Sequence, residues 1–130
     1  MVLNKNYIGV TGASGLLGRH VITYLLKKKY KIIATSRRKP PVAHKNLVWK
    51  KLDLRKKIEF SKLKKIYKNI NSLIHIGATV PFPGKIIKKR EVNITNVNSS
   101  VILAKWSRFS EIHFILISGP EELSAILELT

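Results

Sequence analysis

The chain has 130 residues, 45% of them hydrophobic, with 25 Lys and Arg against 7 Asp and Glu for a formal charge of +18. That length suits one domain with a single core, and no apolar run approaches the roughly 18 residues that cross a bilayer. Cysteine is absent, which excludes disulfides, thiolate metal sites and cysteine nucleophiles, and the first strand begins too early to leave room for a secretory leader. A soluble cytoplasmic protein without membrane contact is expected.

The lysines fall in short clusters at 27–29, 50–51, 56–57, 64–65 and 88–89. They sit at expected helix ends or exposed faces and do not form one stripe. Nonspecific polyanion adhesion is expected of such a surface, because neutralised phosphates release counterions. A basic polyanion- or nucleic-acid-binding protein is therefore one reading of the chain, although no zinc-finger spacing, basic heptad helix or RNP-like aromatic strand accompanies the charge.

In chain order, Lys5 to Val10 reads as a first strand and Gly15 to Lys29 as a helix, with Leu17, Val21, Leu25 and Gly18, Ile22, Leu26 recurring at helical spacing. Between them stands Val10-Thr11-Gly12-Ala13-Ser14-Gly15-Leu16-Leu17-Gly18. A glycine-rich turn from strand to helix lets backbone N–H groups and the positive helix end approach a pyrophosphate without side-chain obstruction, although the spacing here is three-and-three where the standard fingerprint has two-and-three. Tyr30 to Thr35 reads as a second strand, Arg37 to Asn46 as a loop around Pro40-Pro41, and Leu47 to Leu52 as a third strand. Lys56 to Lys68 follows as a short helix, Asn71 to Ile76 as a fourth strand, and Gly77 to Lys85 as a second loop. A long helix over 88–109 and a fifth strand from Ile112 to Ser118 complete the alternation.

This order predicts an α/β fold: a doubly wound parallel sheet, Rossmann-like, with right-handed crossovers, strand order 3-2-1-4-5 and both loops at carboxyl ends of strands. In the 88–109 helix, Ile94, Val97, Val101 and Ala104 form one apolar stripe and Ile102, Trp106 and Phe109 another. One sheet contact buries only one stripe, so self-association or docking through this helix is expected. The last ten residues hold three of the seven acids and no Lys or Arg.

With these motifs assembled, residues 5 to 119 resemble the extended short-chain dehydrogenase/reductase family, in its NAD-dependent epimerase/dehydratase branch. The likeness rests on the turn from Thr11 to Gly18, Asp53-Leu54, Leu73-Ile74-His75-Ile76-Gly77-Ala78, Asn96-Val97-Asn98-Ser99-Ser100 and Phe114-Ile115-Leu116-Ile117-Ser118. It implies an incomplete NAD(P)-binding Rossmann domain over 1–119, ending after the fifth strand, and a tail over 120–130.

The resemblance assigns the pyrophosphate contacts to Ser14, Gly15, Leu16 and Leu17, and further cofactor-binding positions to Gly12, Gly18, Leu54, Ile76, Gly77 and Ala78. It makes Asp53 an acceptor for the adenine amino group; a cap for the turn that follows is the alternative, and both roles can coexist. At the end of the second strand Ser36 stands where NAD-preferring enzymes place an acid, followed by Arg37 and Arg38. Cations and a small hydroxyl suit a 2′-phosphate, so NADP(H) is favoured over NAD(H) as cofactor.

The family's chemistry uses a Tyr and a Lys four residues on, carried by the helix after the fifth strand, and a hydroxyl at that strand's end. The chain stops before such a helix is complete, and Ser118 is left as a possible remnant of the hydroxyl. Tyr24 and Lys28 match the spacing but lie in the first helix, with Tyr24 about 13 Å along it from the glycine turn. No catalytic set and no metal site is expected: His20, His44, His75 and His113 lack ligand spacing, and His75 reads as a hydrogen-bonded structural imidazole in a buried strand. The function implied is the dinucleotide-binding portion of an NAD(P)-dependent epimerase, dehydratase or reductase, not catalytic as an isolated chain.

Overall fold

Short β-branched runs alternate with amphipathic helices, and each helix returns the chain to the edge of the sheet at which the next strand begins. The computed structural model describes residues 6–40, 42–76 and 89–117. Its elements are β1 (Tyr7–Val10), α1 (Leu16–Lys27), β2 (Lys31–Ser36), β3 (Leu47–Lys51), α2 (Phe60–Ile66), β4 (Ile70–His75), α3 (Lys89–Phe109) and β5 (His113–Leu116). The five strands form one sheet in the order β3-β2-β1-β4-β5, every neighbouring pair parallel. This is the Rossmann-like arrangement expected. The order reverses at β1, so a crevice opens beyond the carboxyl ends of β1 and β4.

Side chains alternate across the sheet and build two cores. Val10, Ile32 and Ala34 point to the α1 side and meet Ile22 and Leu25. Ile33, Ile70 and Leu73 point the other way and meet Leu63, Tyr67, Leu103 and Trp106. Ile22, Ile32, Leu63 and Leu73 are fully buried, and each contributes about 2 kcal/mol by leaving water.

Three departures from the expected elements have local causes. β2 runs through Ser36 because Thr35 and Ser36 continue the ladder opposite Lys50 and Lys51. α2 begins at Phe60 instead of Lys56, because the Asp53 carboxylate accepts the Arg55 N–H at 3.0 Å and the Asp53 carbonyl accepts that of Lys56 at 3.2 Å, holding a turn there. The sheet-facing stripe of α3 is largely polar: Asn96, Ser99, Ser100, Leu103, Trp106 and Ser107 are buried, while Val97, Val101, Ile102 and Ala104 are only half-buried. Phe109 is 78% exposed, with its ring 5.9 Å from that of Phe60.

Two helices end alike. At α1, Lys29 N–H bonds to the Leu26 carbonyl and Tyr30 N–H to that of Leu25; at α3, Glu111 N–H bonds to Arg108 and Ile112 N–H to Ser107. These are the paired bonds of a Schellman motif, whose left-handed position usually takes glycine. Here Lys29 and Glu111 occupy it, at φ 67° and 57°.

Candidate functional site

The glycine turn is tied to both of its neighbouring strands. Thr11 N–H bonds to the Ile74 carbonyl at 3.0 Å and Ala13 N–H to the Thr35 carbonyl at 3.1 Å. Gly12 turns the chain at φ 67°, a backbone conformation that side chains disfavour. Gly15 N–H closes back on the Gly12 carbonyl at 3.2 Å, and Arg19 N–H, bonded to the Gly15 carbonyl, makes the first helical bond of α1.

That geometry leaves the N–H groups of Leu16, Leu17 and Gly18 without an intrahelical acceptor. No side chain caps the α1 N-terminus, and its first turn carries no acid. Donors and the positive end of the helix dipole therefore face the crevice together. Leu16 is 70% and Leu17 49% exposed beside them, and Ser14 and Gly15 are exposed as well.

The three glycines do different work. A Cβ at Gly18 would lie 2.0 Å from the Gly12 carbonyl oxygen, whereas one at Gly15 would meet only that oxygen, at 3.4 Å. Gly18 is required by packing of helix on turn; at Gly15 the protein itself has space. A ligand lying over the turn would make Gly15 matter.

Beneath the turn runs a buried hydrogen-bond chain that the sequence did not disclose. Thr11 Oγ1 accepts the Ile76 N–H at 2.9 Å and lies 2.7 Å from His75 Nδ1, while His75 Nε2 lies 2.9 Å from Ser100 Oγ on α3. All groups are satisfied when Thr11 donates to Nδ1 and Nε2–H donates to Ser100. Burial pushes His75 down to about 4, so the ring is neutral at ordinary pH, and the structural role expected for it holds. Ser100 in the polar stripe of α3 answers this contact, since a buried imidazole needs a partner across the interface.

At the rim formed by β2 and β3, the expected cofactor residues have protein partners of their own. Ser36 Oγ donates to the Arg38 carbonyl at 2.5 Å and accepts the Trp49 indole N–H at 2.8 Å. Its single proton is spent, so Ser36 has no donor to offer a phosphate. Arg37 and Arg38 are exposed.

Asp53 forms a fork with Arg55, whose Nε reaches Oδ1 at 3.0 Å and Nη2 reaches Oδ2 at 2.9 Å. The side-chain bonds from Arg55 hold the carboxyl down to about 2, with a smaller pull from the Arg37 charge. Asp53 and Arg37 thus share one rim, and Oδ2 keeps a free lone pair. Leu54 is half-buried and walls a separate cleft of about 430 Å³, between residues 54–58 and the outer face of α3.

Gly77, Ala78 and Ser118 lie outside the described residues. Tyr24 is 60% exposed and its ring packs under Lys28 Nζ at 5.7 Å, near the end of α1 remote from the turn. Among the described residues no group of three His, Asp or Glu is placed to hold a metal ion, and no helix is long and apolar enough to cross a membrane.

The sequence profile of the NAD dependent epimerase/dehydratase family matches residues 8–124. The chain belongs to this family. No curated protein matches its sequence, but many solved structures match its fold. MoeE5 in complex with UDP-glucose and NAD superposes with a TM-score of 0.69 at 23% identity, over 87% of this chain and 36% of that one. UDP-glucose 4-epimerase from Thermotoga maritima gives 0.68 at 20% identity, over 85% and 37%. WbmG from Bordetella bronchiseptica, in complex with NAD and UDP, gives 0.64 at 21% identity, over 84% and 36%. The chain thus spans little more than a third of the length of these proteins.

Proposed function

We propose that this member of the epimerase/dehydratase family binds a nicotinamide dinucleotide, with the pyrophosphate on the turn from Gly12 to Gly18. The observation that carries the reading is the set of open N–H groups at Leu16, Leu17 and Gly18, uncapped and without acids, at the crevice where the strand order reverses. MoeE5 and WbmG, which share the fold, are structures with NAD bound.

The adenine end lies over the β2 and β3 rim. There Asp53 accepts the amino group on the free lone pair of Oδ2 while Arg55 holds the carboxylate ionised and in place. Preference for NADP(H) rests on the exposed cations Arg37 and Arg38, since a guanidinium forks onto a 2′-phosphate and Ser36 is engaged elsewhere. Ile76, whose N–H is fixed by Thr11, borders the turn from β4.

The chain is proposed to bind without turning over. Of its four tyrosines only Tyr24 has a lysine four residues on, and that pair faces solvent at the far end of α1. The outer stripe of α3 is half-buried, which leaves less apolar surface for self-association than two bare stripes would.

Titration of NADPH and NADH against the wild type and Arg37→Ala tests the assignment. NADPH is expected to bind more tightly, and removing one phosphate-pairing arginine to cost on the order of 1 to 3 kcal/mol of that binding. Equal affinities for the two dinucleotides, or an unchanged NADPH affinity in Arg37→Ala, would defeat the preference. No saturable binding of either would defeat the site.

A further inference from the structure

The lysine clusters, scattered along the sequence, meet exposed tyrosines at one place in the fold. α1 delivers its last turn to the edge of the sheet where the strands begin, opposite the glycine turn. There Tyr24 lies under Lys28 Nζ at 5.7 Å, Lys29 and Tyr30 form the turn into β2, and Lys31 Nζ lies 5.9 Å over the Tyr7 ring. The strip continues to Lys68, because Tyr7 N–H bonds to the carbonyl of its neighbour Asn69. Lys28, Lys29, Lys31 and Lys68 are exposed, as are Tyr24 (60%) and Tyr30 (48%).

Rings and ammonium groups therefore alternate around this edge, from the α1 face to the face carrying Tyr7. Lysines spaced along a strip follow a phosphate backbone, and exposed tyrosines offer planes on which unpaired bases stack. A lipid surface asks instead for one amphipathic helix with Trp, Phe or Leu along its apolar face, and the strip gathers tyrosines from a helix end, a turn and a strand.

We infer that this edge binds single-stranded nucleic acid, at a site separate from the dinucleotide turn and without sequence preference. Fluorescence anisotropy of a labelled oligothymidylate of about 15 nucleotides tests it on the whole chain, with circular dichroism confirming the fold of each variant. Lys28→Ala, Lys29→Ala and Lys31→Ala together are expected to weaken binding about tenfold or more and to reduce the log–log salt slope by about 2. Lys50→Ala, Lys51→Ala and Lys56→Ala together remove the same charge at the opposite edge and are expected to change affinity less than about twofold. Tyr24→Ser with Tyr30→Ser is expected to weaken oligothymidylate binding at least about fivefold while leaving long-chain polyphosphate binding intact. Equal losses from the two lysine triples would reduce the strip to diffuse charge and overturn the inference. It would also fail if the tyrosine variant bound normally, or if phosphatidylserine vesicles were bound through the same residues more tightly than the oligonucleotide.

Discussion

Replacing Gly18 and Gly15 separately by alanine distinguishes the glycine that packs from the glycine that binds. In Gly18→Ala the new methyl lies 2.0 Å from the Gly12 oxygen, 2.8 Å from the Gly12 carbonyl carbon and 3.1 Å from Ala13 Cα. All three are backbone atoms of a turn hydrogen-bonded to its neighbouring strands, and the oxygen must retreat by about an ångström. Overpacking of that size costs about 3 kcal/mol, the upper part of the usual range, while exchanging glycine for alanine within a helix returns about 1 kcal/mol. The net loss is about 2 kcal/mol, roughly 6–10 °C in melting temperature at this chain length.

Gly15 is different. Its backbone is extended, φ −74° and ψ 167°, and a methyl there makes ordinary contact at 3.4 Å. Alanine is a poorer N-cap but restricts the unfolded chain, so stability is expected to move by less than about 0.5 kcal/mol. Dinucleotide affinity should nevertheless fall in Gly15→Ala and further in Gly15→Val, since a pyrophosphate occupies the space above it. Thermal melts and NADPH titration of the same samples read both quantities. A Gly18→Ala protein as stable as the wild type would refute the packing argument, and a folded Gly15→Val protein that binds NADPH normally would refute the pyrophosphate site.

Stability should fall with acid in two steps. His75 carries a folded-state pKa of about 4 against an ordinary 6.5, so the stability it lends is complete above pH 6.5 and is lost as pH falls towards 4, by about 3 kcal/mol. Asp53, lowered from 3.8 to about 2, acts only below that window. Urea titrations of the wild type and His75→Gln from pH 7 to 4 should show the first step in the wild type alone; identical profiles would exclude His75 as its source. Lys29→Gly should raise stability by about 0.5 to 1 kcal/mol by relieving the left-handed backbone. Asn69→Gly at φ 63° should gain less, because Asn tolerates that conformation, and equal gains in melting temperature would count against the argument.

The order of elements and the strand topology were legible because hydrophobic period and turn residues act locally. The glycine turn was legible for the same reason: Gly12, Gly15 and Gly18 sit between a β-branched run and a helical one. What the sequence concealed depends on contacts between distant segments. Nothing near His75 in the chain announces Thr11 or Ser100 as its partners, so two apolar stripes were read on α3, whereas its buried face combines Trp106 and Leu103 with the polar Asn96, Ser99, Ser100 and Ser107. Ser36 looked available to a phosphate because its bond to Trp49 forms only once β2 and β3 are paired. Asp53 and Arg55 are two residues apart, and their fork comes with the turn that the Arg55 N–H closes on Asp53 Oδ1, which the residue types alone do not announce.

The anchoring of the glycine turn bears on how a ligand would be received. Thr11 is fixed to β4 through its N–H and hydroxyl, Ala13 is fixed to β2 through Thr35, and the Thr35 hydroxyl lies 2.6 Å from that of the buried Tyr67. The entropy of shaping this loop is therefore spent when the domain folds, well before a dinucleotide arrives. Association then needs to immobilise only the ligand itself and the exposed arginines at the rim. A binding surface made in advance keeps its form when empty, so the turn should superpose on itself with and without cofactor, and the amide exchange of Thr11 and Ala13 should be slow in both states.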